Sequence, residues 1–276
     1  MRAAILSVAA AALLWSTGGL FIKIAPMPAL AVAFGRSAIA AAFYLIVLRP
    51  DLRRARWATA AAYAGCIVTF VAATRLTTAA NAIFLQYAAP AYVLVLSPWL
   101  LREPFRKLDA ACVALSLAGM SLLFVGKVEA GQALGNALGV LSGVFFALGV
   151  VLIRRDARGG QGDALASMTL GNLVAAAATL PFVWRDLPAA LNGFGVPVLV
   201  YLGVVQLGLA YWLFARGVRT VPAAEASLIS MLEPVLNPVW VAIFWGERPG
   251  AWALAGGAVV IFAVALRTLL QPEKEF

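Results

Sequence analysis

The sequence predicts an all-α, polytopic membrane protein with ten transmembrane helices in two inverted five-helix repeats. The first reason is composition, because 63% of the 276 residues are hydrophobic and only 12% are charged. Soluble domains average about 45–50% apolar and about 25% charged residues. The second reason is a series of apolar runs, and the third is a pattern of prolines and polar residues that occurs twice.

Ten apolar runs occupy most of the chain. Each has about 20 residues, which is enough to cross a hydrocarbon core of about 30 Å. Proline, glycine or charged residues separate the runs, and the short connections predict antiparallel neighbours. The first run begins like a signal peptide but continues far enough to span, so we predict an uncleaved first helix. The predicted spans are 3–25, 28–48, 57–76, 79–101, 107–126, 133–153, 164–184, 195–215, 222–245 and 251–270.

The 21 basic residues lie mainly between these runs, so they indicate orientation rather than a nucleic-acid partner. Fifteen of them flank the side that holds the N-terminus, five flank the other side, and Arg36 alone lies within a span. Because lysine and arginine are enriched in cytoplasmic loops, we predict that both termini are cytoplasmic. The expected partners are the lipid bilayer and a small-molecule substrate.

Histidine and cysteine usage argues against a metal or a cofactor. The chain has no histidine, which excludes imidazole metal ligands and a histidine proton relay. Cys66 and Cys112 lie in separate apolar runs, where we expect packed free thiols rather than a disulfide. We therefore predict neither a metal site nor a cofactor.

An internal repeat is clearest in the ninth run, which contains Glu233, Pro234 and Pro238. A shift of 144 residues places Pro90 on Pro234 and Ala89 on Glu233. Each repeat has five predicted spans, an odd number, so its copies have opposite orientation, as in many transporters. The alternative is that two apolar blocks match through shared composition alone. The predicted domains are residues 1–130 and 131–276.

Three segments resemble the drug/metabolite transporter superfamily, specifically its EamA-type ten-helix members. They are ALLWSTGGLFIK, ANAIFLQYAAPAYVLVLSPWLLRE and AAEASLISMLEPVLNPVWVAIFWGE, in the first, fourth and ninth runs. The resemblance implies a secondary exporter of metabolites, amino acids or drugs in the bacterial inner (plasma) membrane, working by alternating access, and not an enzyme. The LLWST segment looks most like the bacterial aromatic amino-acid exporter branch.

The residues alone leave other functions open. The sequence has no P-loop, so ATP is not the direct energy source, and we expect a proton or substrate gradient to drive transport. Drug or organic-cation efflux by the same fold is the main alternative, and a channel is another. A membrane-embedded enzyme is less favoured, because it needs a clustered Asp, His or Ser constellation and the acids here are scattered.

Glu233 is predicted to lie near the middle of the membrane, about 16 Å along its helix. Arg36 on the second helix has nearly the same predicted depth. One hypothesis is a structural ion pair between Arg36 and Glu233, which would offset the cost of burying each charge. The other is that Glu233 carries a proton or binds a substrate amine. Glu225 is predicted to stabilise the start of the same helix, close to Arg216 and Arg219.

Aromatic and polar side chains of the helices that surround the central path in the family are candidates to line it. Such a lining suits an amphipathic organic substrate or cation. On the fourth helix, the half-site that matches the ninth helix consists of Asn81, Gln86, Tyr87 and Tyr92. Asn81 and Tyr92 share a face from which Gln86 and Tyr87 diverge by periodicity. The alternative for each side chain is packing or an interhelical hydrogen bond. The candidate hinges are Pro90, Pro234 and Pro238. The candidate path residues are Trp15, Thr17, Tyr63, Phe70, Asn81, Phe84, Gln86, Phe146, Gln206, Tyr211, Ser230 and Glu233.

Overall fold

The computed structural model describes residues 1–18, 21–22, 25–128, 131–158, 162–185, 193–245 and 250–270, and within these ranges it contains helices and turns but no strand. Lys23, Arg248 and Lys274, which entered the orientation count, lie outside the described residues. The helices are α1 (Arg2–Ser16), α2 (Ala29–Leu48), α3 (Trp57–Leu76), α4 (Ala79–Gln86 and Ala89–Leu101), α5 (Lys107–Leu123), α6 (Ala133–Arg158), α7 (Ala164–Val183), α8 (Gly195–Gly217), α9 (Ala223–Ser230 and Leu232–Trp245) and α10 (Ala251–Leu269).

Eight helices in the described part of the chain are long and apolar enough to cross a membrane, so this is a multi-pass membrane protein. They are α2, α3, α4 and α6 to α10. Helix α1 has 15 residues and α5 has 17, fewer than the 18 required of a span. The ten-span count therefore stays a prediction. Helix α1 ends at Ser16, and part of the predicted span 3–25 lies outside the described residues.

Helices α4 and α9 are each interrupted three residues before a proline. Helix α4 breaks at Tyr87 and Ala88, before Pro90, and α9 breaks at Met231, before Pro234. Proline has no amide hydrogen and its ring crowds the carbonyl four residues earlier, so the preceding turn cannot stay regular. The two breaks correspond under the 144-residue shift. Helix α9 continues without a break through Pro238, the third candidate hinge.

Long-range packing interleaves the early and late helices. Helix α3 packs against α6 and α7, whereas α8 packs against α1 and α2. Helix α4 packs against α6, α9 packs against α1, and α5 pairs mainly with α10. Glycines permit the closest approaches, since a methyl group on Gly143 of α6 would lie 2.9 Å from the carbonyl oxygen of Gln86. This arrangement leaves a central space between α1, α2, α3, α4, α6, α8 and α9.

Two helices contain wide π-helical turns, at Tyr44–Leu48 in α2 and Tyr201–Leu209 in α8. Such turns disturb the regular hydrogen-bond pattern and are frequent at functional sites. The hydroxyl of Tyr44 donates to the carbonyl oxygen of Gly208 at 2.8 Å and so ties the two wide segments together. The α8 segment carries Gln206, one of the candidate path residues.

Candidate functional site

A cavity of about 440 Å³ lies in the central space. Chain direction shows where it extends: Gly18 follows α1, Thr74 lies near the end of α3, and Asn237 lies in the second piece of α9. These three positions all lie toward the face opposite Met1. Nine predicted residues line the cavity, namely Trp15, Arg36, Phe70, Gln86, Phe146, Gln206, Tyr211, Glu233 and Pro234. Tyr87, which the sequence had grouped with Gln86 in the half-site of the fourth helix, also lines the cavity. The remaining eight residues were not predicted: Gly18, Ile22, Cys66, Ile67, Thr74, Ile83, Leu207 and Asn237.

Aromatic rings from four helices form one wall of the cavity. The ring of Trp15 lies 4.7 Å from that of Tyr211 and 6.4 Å from that of Phe146, measured between centroids. The ring of Tyr87 lies 6.2 Å from that of Phe146. Tilted and edge-on contacts at these separations are favourable. The wall therefore offers rigid apolar surface against which the aromatic ring of a substrate can pack.

Two groups of opposite charge line the same cavity without forming an ion pair. Arg36 is 7% exposed, and its Nε has no hydrogen-bond partner. The carboxylate of Glu233 instead accepts a hydrogen bond from the hydroxyl of Tyr87. Both residues belong to the described part of the chain, and every nitrogen of Arg36 is more than 4.0 Å from the carboxylate oxygens of Glu233. The predicted direct ion pair is therefore not formed, and the carboxylate of Glu233 bonds to Tyr87 instead.

The break in α4 explains why Tyr87 reaches the cavity. Periodicity had placed Gln86 and Tyr87 away from the face shared by Asn81 and Tyr92. The turn at Tyr87 interrupts the regular rotation of side chains about the helix axis, and both Gln86 and Tyr87 line the cavity. The Nε2 of Gln86 is held by Ser142 Oγ at 2.7 Å. The interruption in the helix therefore contributes a hydroxyl to the charged part of the site.

Two predicted path residues make hydrogen bonds away from the cavity. The hydroxyl of Thr17 lies 2.7 Å from the carbonyl oxygen of Leu14 and 3.0 Å from the hydroxyl of Tyr201. The side-chain amide of Asn81, which is 1% exposed, donates to Asn136 at 2.9 Å. Both side chains form hydrogen bonds between helices, which was the alternative expected for each of them. Neither side chain lines the cavity.

Three other predicted path residues pack behind the cavity wall. The hydroxyl of Tyr63 accepts a hydrogen bond from the amide of Asn172 at 3.2 Å. The ring of Phe84 packs 5.7 Å from that of Phe124, and Ser230 Oγ donates to the carbonyl oxygen of Ala226 at 2.9 Å. The contacts of Tyr63 and Phe84 join different helices, whereas that of Ser230 lies within its own helix. Residue type alone could not separate these positions from lining positions.

A polar cluster around Arg154 lies at the face on which the chain begins. Its guanidinium pairs with Glu103 and donates to the carbonyl oxygens of Val218 and Val221. The second carboxylate oxygen of Glu103 accepts from the amide of Ala223, the first residue of α9, at 3.0 Å. One ion pair thus joins the α4–α5 connection, α6 and the α8–α9 connection.

A second buried charge cluster lies nearby on α5, α9 and α10. Arg267 is 1% exposed, donates to Asp109, and lies 3.7 Å from an oxygen of Glu225. Glu225 is in the first turn of α9, as predicted. Its ion pair, however, is with Arg267, whereas Arg216 stacks on the ring of Trp212 at 4.7 Å. The partnership was missed because Arg267 counted only as an orientation signal.

Known proteins similar to this chain are membrane transporters. The family model described as "EamA-like transporter family" matches residues 2–125 and 133–269. "Uncharacterized transporter YwfM" of Bacillus subtilis is 27% identical over 262 residues, 90% of this chain and 88% of the relative. "Pseudopaline exporter CntI" of Pseudomonas aeruginosa is 25% identical over 251 residues, 87% and 86% of the two chains. A solved crystal structure matches 100% of both chains with a TM-score of 0.81 and 21% identity. The chain therefore belongs to the EamA-like transporter family.

Proposed function

We propose that this transporter exports small amphipathic metabolites, specifically aromatic amino acids, across the bacterial inner membrane by alternating access. One observation carries the proposal. The guanidinium of Arg36 and the carboxylate of Glu233 line one cavity without pairing to each other, beside the rings of Trp15, Phe146 and Tyr211. An aromatic amino acid carries the three complementary groups: a carboxylate, an ammonium and a ring.

The unpaired state of Arg36 argues for a substrate carboxylate. A buried guanidinium without a counterion is costly, and the Nε of Arg36 has no hydrogen-bond partner among the residues that the structure describes. An α-carboxylate would satisfy the guanidinium with two parallel hydrogen bonds. The substrate ammonium would then take the place of Tyr87 on Glu233. Because Glu233 is also the acid of the cavity, it is the candidate carrier if the proton is the coupling ion.

Helix packing supports the proposal of ten spans in two inverted repeats, residues 1–130 and 131–276. Exchanging each helix for its counterpart in the other repeat turns α3–α6, α3–α7 and α4–α6 into α8–α1, α8–α2 and α9–α1. All six pairs are in contact. The breaks at Tyr87 and Met231 are 144 residues apart, the offset of the sequence repeat. The family model also matches in two stretches, with the gap at residues 126–132.

The direction of the cavity supports an exporter at its release stage. The Arg154–Glu103 cluster lies at the face that holds the N-terminus, and the cavity extends toward the opposite face. If both termini are cytoplasmic, as the basic residues predict, the cavity faces the outside of the cell. Substrate bound between Arg36 and Glu233 would leave from this state.

Organic-cation efflux is the second candidate, because a carboxylate beside aromatic rings also suits an amphipathic cation. Arg36 separates the two proposals. It would repel a simple cation, whereas it would attract the carboxylate of a zwitterion. A substrate with both charges is therefore preferred to one with an ammonium group alone.

Counterflow in proteoliposomes tests the choice with three radiolabelled compounds of similar shape: phenylalanine, phenethylamine and 3-phenylpropionate. We expect saturable counterflow of phenylalanine and at least about tenfold less of the other two, because each lacks one charge-assisted hydrogen bond. Arg36→Gln should weaken phenylalanine transport about 10- to 100-fold. The ratio of phenylalanine transport to phenethylamine transport should also fall. Arg49→Gln, on an exposed residue beyond α2, is the control.

Two results would count against the proposal. Absence of phenylalanine counterflow would remove the aromatic amino-acid assignment and leave only the family. Faster counterflow of phenethylamine than of phenylalanine in the unaltered protein would favour organic-cation efflux.

A further inference from the structure

A second cavity, of about 230 Å³, lies at the face that holds the N-terminus, between the ends of α4, α5, α9 and α10. It shares no lining residue with the central cavity, although Arg154 and Glu103, which join the helix connections at this face, belong to its wall. Its charged lining consists of five arginines and three acids: Arg102, Arg106, Arg154, Arg158, Arg267, Glu103, Asp109 and Glu225. The lining therefore carries an excess of positive charge.

The acids in this lining are held by internal partners. Glu103 pairs with Arg154 and, at 3.0 Å, with Arg158. Asp109 pairs with Arg267, which also lies 3.7 Å from Glu225. The positive excess thus comes from the remaining arginines, Arg102 and Arg106, neither of which forms an ion pair within the described part of the chain.

Two buried donor atoms in the lining have no hydrogen-bond partner within the described part of the chain. They are the hydroxyl of Ser97, whose residue is 4% exposed, and Nη1 of Arg267, whose residue is 1% exposed and which lies 3.7 Å from Oε2 of Glu225, beyond hydrogen-bond distance. Buried donors of this kind nearly always have a partner. Both residues line the cavity. A ligand with several acceptor oxygens would therefore accept hydrogen bonds from both donors.

The position of the cavity indicates the source of that ligand. The α4–α5 connection places Phe105, which is 60% exposed, beside Arg102 and Arg106. The ends of spanning helices lie at the level of the lipid headgroups. The apolar side chains of Leu94 and Leu101 complete the wall. Basic pockets between spanning helices suit anionic headgroups.

We propose that this second cavity binds the phosphodiester headgroup of an anionic phospholipid. Arg102 and Arg106 receive the phosphate at the mouth, and Ser97 and Arg267 supply donors deeper in the cavity. The shared chemistry is a phosphate group, which a soluble phosphate ester also provides. The glycerol and the first acyl carbons of a lipid would contact the apolar wall, whereas a soluble ester has nothing to place there.

Lipid binding to the purified protein in a neutral detergent tests this site by native mass spectrometry. The probes are phosphatidylglycerol, phosphatidylcholine and, as competitors, sn-glycerol 3-phosphate and inorganic phosphate. We expect one phosphatidylglycerol bound at least about tenfold more tightly than phosphatidylcholine, and no displacement by either soluble phosphate at equal concentration. Equal binding of the two lipids would overturn the proposal, and displacement by a soluble phosphate would overturn its assignment to a lipid.

Matched variants separate the cavity from general surface charge. R102Q/R106Q is expected to weaken phosphatidylglycerol binding about tenfold. R53Q/R54Q removes two exposed arginines from the same face and should leave the affinity within about twofold. An equal loss in both double variants would overturn the proposal.

Ser97→Ala removes no hydrogen bond within the described part of the chain, so we expect it to leave folding undisturbed. We expect an unchanged melting temperature without lipid and about threefold weaker phosphatidylglycerol binding. Unchanged phosphatidylglycerol binding in this variant would overturn the role of the deeper donors and with it the proposed site.

Discussion

Replacing Arg267 with methionine is expected to destabilise the protein strongly, because it removes the counterion of two buried acids. Asp109 is 4% exposed and Glu225 is 0% exposed, and Arg267 is the ion-pair partner of both. Methionine fills a similar volume, so the effect comes from charge rather than from a cavity. Breaking a buried ion pair by removing one partner costs about 3–5 kcal/mol, a large part of the roughly 5–15 kcal/mol that holds a typical protein folded.

Equilibrium unfolding in mixed micelles of dodecylmaltoside and sodium dodecyl sulfate measures this loss, with the eight tryptophans as the fluorescence probe. D109N/R267M should recover part of it, because asparagine leaves no charge to be stranded. The two substitutions should therefore be non-additive by about 0.5–3 kcal/mol. Arg53→Met, on an exposed arginine, is the control and should change the stability by less than about 0.5 kcal/mol.

The reasoning would be refuted if Arg267→Met unfolded at the same detergent fraction as Arg53→Met. It would also be refuted if Asp109→Asn and Arg267→Met had additive effects, because additivity would mean that the two side chains act independently. Either result would place the stability of this region in apolar packing between α5 and α10 rather than in the ion pair.

Three other substitutions test separate contacts. Gly143→Ala places a methyl group 2.9 Å from the carbonyl oxygen of Gln86 and should cost about 1–3 kcal/mol in the same unfolding assay. Gly149→Ala, with no atom within 4 Å of the added methyl, should be neutral, and equal costs would contradict the steric argument. Glu103→Gln should open the face that holds the N-terminus, because it removes the ion pair that joins the helix connections there. Spin labels on the α4–α5 and α8–α9 connections should then lie farther apart, and unchanged distances would contradict the prediction. Glu233→Gln should fold normally and abolish the pH dependence of phenylalanine counterflow, and an unchanged pH profile would exclude it as the proton carrier.

The elements that sequence reasoning located correctly depend on local chemistry. Helix α3, Trp57–Leu76, has the predicted bounds, because an apolar run is enough to define a spanning helix. The breaks in α4 and α9 lie next to Pro90 and Pro234, where the missing amide hydrogen is visible in the sequence itself. Aromatic, polar and charged residue types then identified eight of the eighteen residues that line the cavity.

The contacts that sequence reasoning missed join residues far apart in the chain. Tyr87 and Glu233 are 146 positions apart, and Asp109 and Arg267 are 158 apart, so no local pattern connects them. Tyr87 was also misplaced by periodicity, since a rule of constant rotation per residue fails at the turn where this residue lies. Arg267 lies close to the end of α10 and looks like a loop cation, yet packing against α5 buries it.

The interleaving of early and late helices has a consequence for biosynthesis. Helix α3 finds its principal neighbours in α6 and α7, which the ribosome makes only later. The amide of Gln86 likewise waits for Ser142, its partner at 2.7 Å. Helices that insert first must therefore remain in the bilayer with polar groups unmatched, until later helices enter between them. Membrane insertion and tertiary assembly are then separate stages, and an insertase or chaperone that shields α3 and α4 in the interval would raise the yield of folded protein.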